Sequence, residues 1–294
     1  MNNKSSIFLS DLSVVDHAYI NEHGQVIGGS FNPGFIVTGS IDSVEQVVID
    51  FSTVKKSLKQ LIDQHIWDPE KNGFDHKIWW IEGFSKGTIE KSDHADRYII
   101  NTPALTAEVP TDALKIIKNT DNYIPNHSIE YIGQSLEQFL TKEMIKLYPD
   151  VNVKVECFNN INVHLINKNI PYKYFTYSHG LKDSTSYGCQ NLLHGHLSFI
   201  QYHNDDIITR IANDLNDAVF VNRSNIIIDN ENELTLTYTT PQRGYFTATY
   251  KKDSNKIIIL DTETTIEWIA EFVKDTYQIT DFYISEGLSK GTYI

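Results

Sequence analysis

The chain has 294 residues, 40% hydrophobic and 21% charged, enough for one large domain or two of roughly 150 residues each. A formal net charge of −13 excludes a basic surface for nonspecific nucleic-acid binding, and no apolar run approaches the roughly 18 residues of a membrane span. The opening stretch is apolar only briefly, is interrupted by Asp11 and lacks a small-residue cleavage site, so a soluble, cytoplasmic protein is expected, with Cys157 and Cys189 as free thiols.

In chain order, β-branched and aromatic runs predict strands over residues 35–41, 45–51, 151–157, 161–166, 234–240, 245–250 and 256–260. Four amphipathic helices lie between them. The first carries Val54, Leu58, Leu61 and Ile62, and the second Ile129, Ile132, Leu136, Phe139 and Leu140. The third carries Ile207, Ile208, Ile211 and Leu215, and the fourth Ile266, Ile269, Ala270, Val273 and Tyr277. Spacings of three and four put each set on one helix face. Each half thus offers strands, helix, strands, helix and a closing strand. This predicts a duplicated α+β unit with helices packed on one face of antiparallel sheet. The expected units are residues 1–169 and 170–294, joined in the polar stretch ending at Pro171 and Tyr172. A short repeat, Glu82-Gly83-Phe84-Ser85-Lys86-Gly87-Thr88 against Glu286-Gly287-Leu288-Ser289-Lys290-Gly291-Thr292, falls at different places in the two halves.

The sharpest chemistry is in the second half. In a strand His194 and His196 share one face, and Gly195 between them admits a close neighbour. His179 ends its own strand-like run, and an antiparallel return through residues 180–191 brings it opposite the pair. Three converging imidazoles leave one tetrahedral position free, the arrangement of catalytic zinc. Cys189 lies five positions before His194, close enough to share the site as a thiolate nucleophile or base. Two other arrangements compete: a closed structural site with Cys189 as fourth ligand, and a strand whose histidines only make a polar face. His17, His23, His65, His94, His127, His164 and His203 have no such partners and are expected to be structural or surface residues.

At these residues the chain resembles the 6-pyruvoyltetrahydropterin synthase and 6-carboxytetrahydropterin synthase family, whose tunnelling fold binds zinc through a histidine after its first strand and a His-Gly-His on its second. Residues 45–55 resemble the segment entering the family's first helix, and Asp75-His76-Lys77 its Asp-His pair. Thr265-Ile266-Glu267 resembles the start of its second helix, and Tyr283-Ile284-Ser285-Glu286-Gly287 the strand bearing its pterin-anchoring glutamate. The first half reads Ile27-Gly28-Gly29 where the His-Gly-His belongs, so it should hold no zinc. The second half keeps the metal and the cysteine but reads Asn213-Asp214-Leu215-Asn216-Asp217 near where Asp-His belongs. The pattern is similar to tandem, two-module members of the family.

That resemblance implies a lyase acting on dihydroneopterin triphosphate. Zn2+ would sit on His179, His194 and His196, with Cys189 as general base and His76 and Asp75 as its relay. Glu286 would hold the pterin's N–H edge, with Thr265 touching it. For Glu267 a helix capping box, Thr264 to Glu267, is the competing role. Lys182, Arg243 and Lys290 are the candidate triphosphate cations. The implied product is 6-carboxytetrahydropterin, on the route to queuosine. Alternatives are the 6-pyruvoyl product or a zinc and pterin-binding module without turnover. Leu192 stands where bifunctional relatives carry a glutamate, which argues against their side-chain cleavage. A homo-oligomer is expected because open sheet edges need covering.

Overall fold

A computed structural model of the chain describes residues 4–118, 129–158 and 169–294. In the first half β1 (Lys4–Leu9), β2 (Val15–Ile20) and β3 (Val26–Ser40) lead into α1 (Phe51–Asp63). Then follow β4 (Lys77–Ile81), β5 (Thr88–Lys91), β6 (Arg97–Asn101), β7 (Leu105–Pro110), β8 (Leu114–Ile117), α2 (Ile129–Leu147) and β9 (Asn152–Phe158). The second half runs β10 (Tyr172–His179), β11 (His194–Gln201), α3 (Asp205–Leu215), β12 (Ala218–Asn222), β13 (Ile226–Asp229) and β14 (Glu233–Thr240). It closes with β15 (Gly244–Lys251), β16 (Lys256–Leu260), α4 (Ile266–Tyr277), β17 (Tyr283–Glu286) and β18 (Lys290–Tyr293). The chain is α+β.

One strand order recurs in the two halves. The first sheet runs β8-β4-β2-β3 with β9 and β1 both on β3, and the second runs β16-β12-β10-β11-β17-β18. Both are mixed rather than antiparallel throughout, which corrects the expectation from sequence. β2 lies parallel to β4 and β4 to β8, as β10 does to β12 and β12 to β16. The cause is connectivity: the hairpin partner and a helix intervene between β2 and β4, so the chain re-enters the sheet from the same end.

Side-chain alternation makes two cores from each sheet. In β4, Ile78 and Trp80 face an inner core while Trp79 and Ile81 face α1 and α2. In β12, Val219 and Val221 share that inner core, and Ala218 and Phe220 face α3 and α4. Helix stripes match the spacing: Val54, Leu58 and Ile62 are buried on α1, Leu136 and Leu140 on α2, Ile208, Ile211 and Leu215 on α3, and Ile266, Ile269, Ala270 and Val273 on α4. A third sheet, β13-β14-β15-β7-β6-β5, joins the halves through the antiparallel pair β7 and β15.

Residues 45–51 are not a strand. The Asp42 carboxylate accepts the Val44 and Glu45 amides at 2.7 and 2.8 Å, Gln46 takes φ 57°, and Asp50 accepts the Thr53 amide at 2.9 Å as the α1 N-cap. Turn and cap chemistry wins over β propensity there. The strand expected at 161–166, His127, His164 and the start of the joint lie outside the described residues. Among the described residues no helix is long and apolar enough to cross a membrane.

The two main sheets touch at a pair of glycines. A Cβ on Gly28 would lie 2.0 Å from the Tyr177 carbonyl oxygen, and one on Gly195 would lie 2.6 Å from Gly28 Cα. Backbone therefore meets backbone where β3 crosses β11. This contact carries Asp16 and Ser30 of the first half up to the histidines of the second: the Ser30 hydroxyl accepts the Leu197 amide at 3.0 Å.

Candidate metal and catalytic site

β10 and β11 pair antiparallel with His179 opposite His194 and Tyr177 opposite His196. That register places donor atoms of His179, His194 and His196 within 4.8 Å of one another, all buried. His179 Nδ1 donates to the Thr264 carbonyl oxygen at 2.6 Å, which leaves Nε2 as the lone-pair nitrogen, 3.2 Å from His196 Nε2. His196 Nδ1 lies 3.2 Å from Asp16 Oδ1. Both ring nitrogens of His194 are buried without a hydrogen-bond partner. Buried imidazole nitrogens without partners are costly in a finished protein, and a cation among them supplies the missing partner. This donor set fits a divalent metal ion with three imidazole ligands.

Asp16 had no place in the sequence-based expectation. Its carboxylate is buried, accepts from Ser30 Oγ at 2.5 Å and orients His196 from behind. Burial would raise its pKa, but the His196 charge outweighs this and holds it at about 2. The available signal was an Asp-His pair inside an apolar strand, Val15-Asp16-His17-Ala18. Its neighbour His17 has a structural role, stacked on Trp79 at 3.9 Å between ring centroids.

Cys189 sits in the single helical turn Gly188–Gln190, free and buried. Its Sγ, a donor nitrogen of His76 and one of His194 form a second group within 4.8 Å. His76 Nδ1 is 2.7 Å from Asp75 Oδ2. The pair is fixed in place by the Asp16 amide, which donates to Asp75 Oδ1 at 2.9 Å, and by Asn191 Nδ2, which donates to the His76 carbonyl at 3.2 Å. Asp75, His76 and Cys189 are thus brought together by one chain. Burial opposes charge on His76, but the Asp75 carboxylate overcomes it and raises the imidazole well above its usual range. Burial also lifts the Cys189 thiol, and His76 more than reverses this, leaving it below the ordinary thiol value. A thiolate beside an imidazolium is a base coupled to a proton carrier.

Glu286, at the end of β17, bridges His196 Nε2 and Lys290 Nζ, each at 3.4 Å. Its carboxyl stays ionised well below the usual range, because His196, His179 and Lys290 outweigh burial. Thr265 is the N-cap of α4, beside the Thr264 carbonyl that anchors His179, and its hydroxyl makes no capping bond. The capping box expected for Glu267 is absent, since the helix starts one residue later than that box requires. Arg243 is not a free cation for phosphate: it is buried, 3.4 Å from Asp112 Oδ1, and donates to the Gly188 carbonyl. The repeated segment forms a turn with positive φ at Gly83 and Gly287 in both copies, between β4 and β5 and between β17 and β18.

No protein-family model matches the chain, and no curated protein does. Among solved structures it is similar to 6-pyruvoyltetrahydropterin synthase from Plasmodium vivax. A crystal structure of that protein is 16% identical with a TM-score of 0.35, the match covering 53% of this chain and 91% of that one. A catalytic-residue mutant of it is 17% identical with a TM-score of 0.34, covering 52% and 91%.

Proposed function

We propose that the chain is a tandem tunnelling-fold lyase, with a metal-free unit at residues 1–169 and a zinc-binding unit at 170–294, acting on dihydroneopterin triphosphate. The observation that carries this is the Asp75-His76-Cys189 relay set directly against the three-histidine group, with His194 belonging to both clusters. The first unit supplies the Asp-His pair and Asp16, and the second supplies Cys189 and the ligands.

His179, His194 and His196 would hold the zinc ion, which would supply Lewis acidity for the substrate's side chain. Cys189 Sγ takes the proton from the side-chain carbon, His76 Nε2 exchanges it, and Asp75 holds the imidazole in register. Glu286 receives the N–H edge of the pterin as a two-point acceptor. Asp16 keeps His196 oriented. Lys290, half exposed beside Glu286, is the cation placed for the triphosphate. These groups all come from one chain, so an oligomer formed through sheet edges is not needed to complete them.

The favoured outcome consumes one water and gives 6-carboxytetrahydropterin with acetaldehyde and triphosphate, as in queuosine biosynthesis. Incubating zinc-loaded protein with dihydroneopterin triphosphate and weighing the product tests this. The 6-carboxy mass supports it, and the 6-pyruvoyl mass moves the assignment to the synthase that keeps the side chain. No consumption of substrate removes both and leaves a binding module.

A further inference from the structure

His194 stands at the corner of two donor groups, and the second has the makings of a cation site of its own. Cys189 Sγ, a His76 nitrogen and a His194 nitrogen lie within 4.8 Å of one another. With His76 Nδ1 held by Asp75 at 2.7 Å, its Nε2 is the nitrogen left to face the Cys189 thiol as a donor atom. A carboxylate behind an imidazole is the usual support of a metal-binding histidine. Both His194 nitrogens lack partners, so one can serve each group. Packing fixes the thiol against the imidazole: a Cβ on Gly188 would lie 2.9 Å from His76 Cβ and Cγ.

We propose that Cys189, His76 and His194 form a second, thiolate-containing site for a thiophilic divalent cation, sharing His194 with the three-histidine group. One sulfur and two nitrogens suit zinc, cobalt or cadmium and leave an open position. On binding, the Cys189 S–H bond is replaced by a sulfur–metal bond and the proton leaves to solvent, together with any proton on His76 Nε2 and, when both groups are filled, the remaining N–H proton of His194, which then bridges the two cations as an imidazolate. No electron changes owner. A filled site removes the thiol from proton transfer, so excess metal switches the relay off. The donors are present whether or not the chain turns over a pterin.

Cobalt(II) titration of the full-length, reduced protein tests the site without reference to activity. A near-ultraviolet thiolate-to-cobalt charge-transfer band is expected. It should be lost in Cys189→Ser and His76→Ala and retained in His179→Ala. No band in the wild type overturns the proposal, as does a band that survives His76→Ala. Loss of the band in His179→Ala also overturns it, because Cys189 would then be a fourth ligand of the three-histidine group. Far-ultraviolet circular dichroism checks each variant, and His76→Gln, which keeps the bulk beside Gly188, replaces His76→Ala if that variant does not fold.

Discussion

The turn entering β4 and the turn entering β12 are built alike and carry different chemistry. At the first, the Asp75 carboxylate accepts the Asp16 amide at 2.9 Å and the His76 amide donates to the Asp16 carbonyl at 2.6 Å. At the second, the Asn216 side-chain oxygen accepts the Thr176 amide at 3.0 Å and the Asp217 amide donates to the Thr176 carbonyl at 2.8 Å. His76 and Asp217 take φ of 55° and 60°, a region that His, Asn and Asp enter more readily than most residues. The backbone device is therefore common, and only one copy carries an imidazole. Register extends the comparison: Tyr19 opposite Ile27, and His17 opposite Gly29, stand where His179 faces His194 and Tyr177 faces His196. One half carries the Asp75-His76 pair proposed for acid–base work and the other the three histidines proposed as metal ligands. They meet where Gly28 and Gly195 let the sheets touch.

Erasing the difference between the turns should have the largest effect. His76→Asp copies the second turn into the first, and turnover of dihydroneopterin triphosphate should fall by about 10²- to 10⁴-fold while zinc content stays at the wild-type level. Unchanged turnover would remove His76 from the relay. Gly28→Ala attacks the contact between the halves. With its Cβ only 2.0 Å from the Tyr177 carbonyl, the variant should lose about 1–3 kcal/mol or more in urea unfolding, and zinc affinity should drop with it. A fully stable variant would show that the sheets do not need that approach.

Asp16→Asn tests the first-half carboxylate set beside His196. Zinc affinity, read by competition with a chromophoric chelator, should weaken by about 10- to 100-fold with the fold intact. The smallest effect concerns Lys115, which occupies the place of Ile258 in the other half. Burial pushes the Lys115 amine down to about 7, with Nζ 4.4 and 4.3 Å from the Phe74 and Phe139 ring centroids. The unfolded chain then binds the extra proton between pH 7 and 10.5, so this group makes stability rise with pH across that window. In Lys115→Ile the rise in urea midpoint from about pH 7 to about pH 9 should flatten; an identical slope would mean that the amine is not desolvated.

Much of the site was legible in the sequence because its signals are local. His194-Gly195-His196 shares a face by strand parity, and His179 reaches His194 through a simple antiparallel return. The helices were legible for the same reason, since three-and-four spacing is a property of contiguous residues. Short strands such as β5 and β13, four residues each, offer too few alternations to stand out. Residues 45–51 misled because β-branched composition masked the turn and cap set by Asp42 and Asp50.

By itself, then, the sequence determined the α+β class, the four helix faces, and which strand carries a histidine pair beside a cysteine. The tertiary structure alone decided that β2 and β4 run parallel, that Asp75 and His76 reach Cys189 within one chain, and that Asp16 backs His196. The parallel pairing joins residues 60 positions apart, and the other two join residues 113 to 180 positions apart, across halves that touch at a glycine-to-glycine sheet contact. Periodicity reports which way a side chain faces along its own element. It carries no record of which element packs opposite.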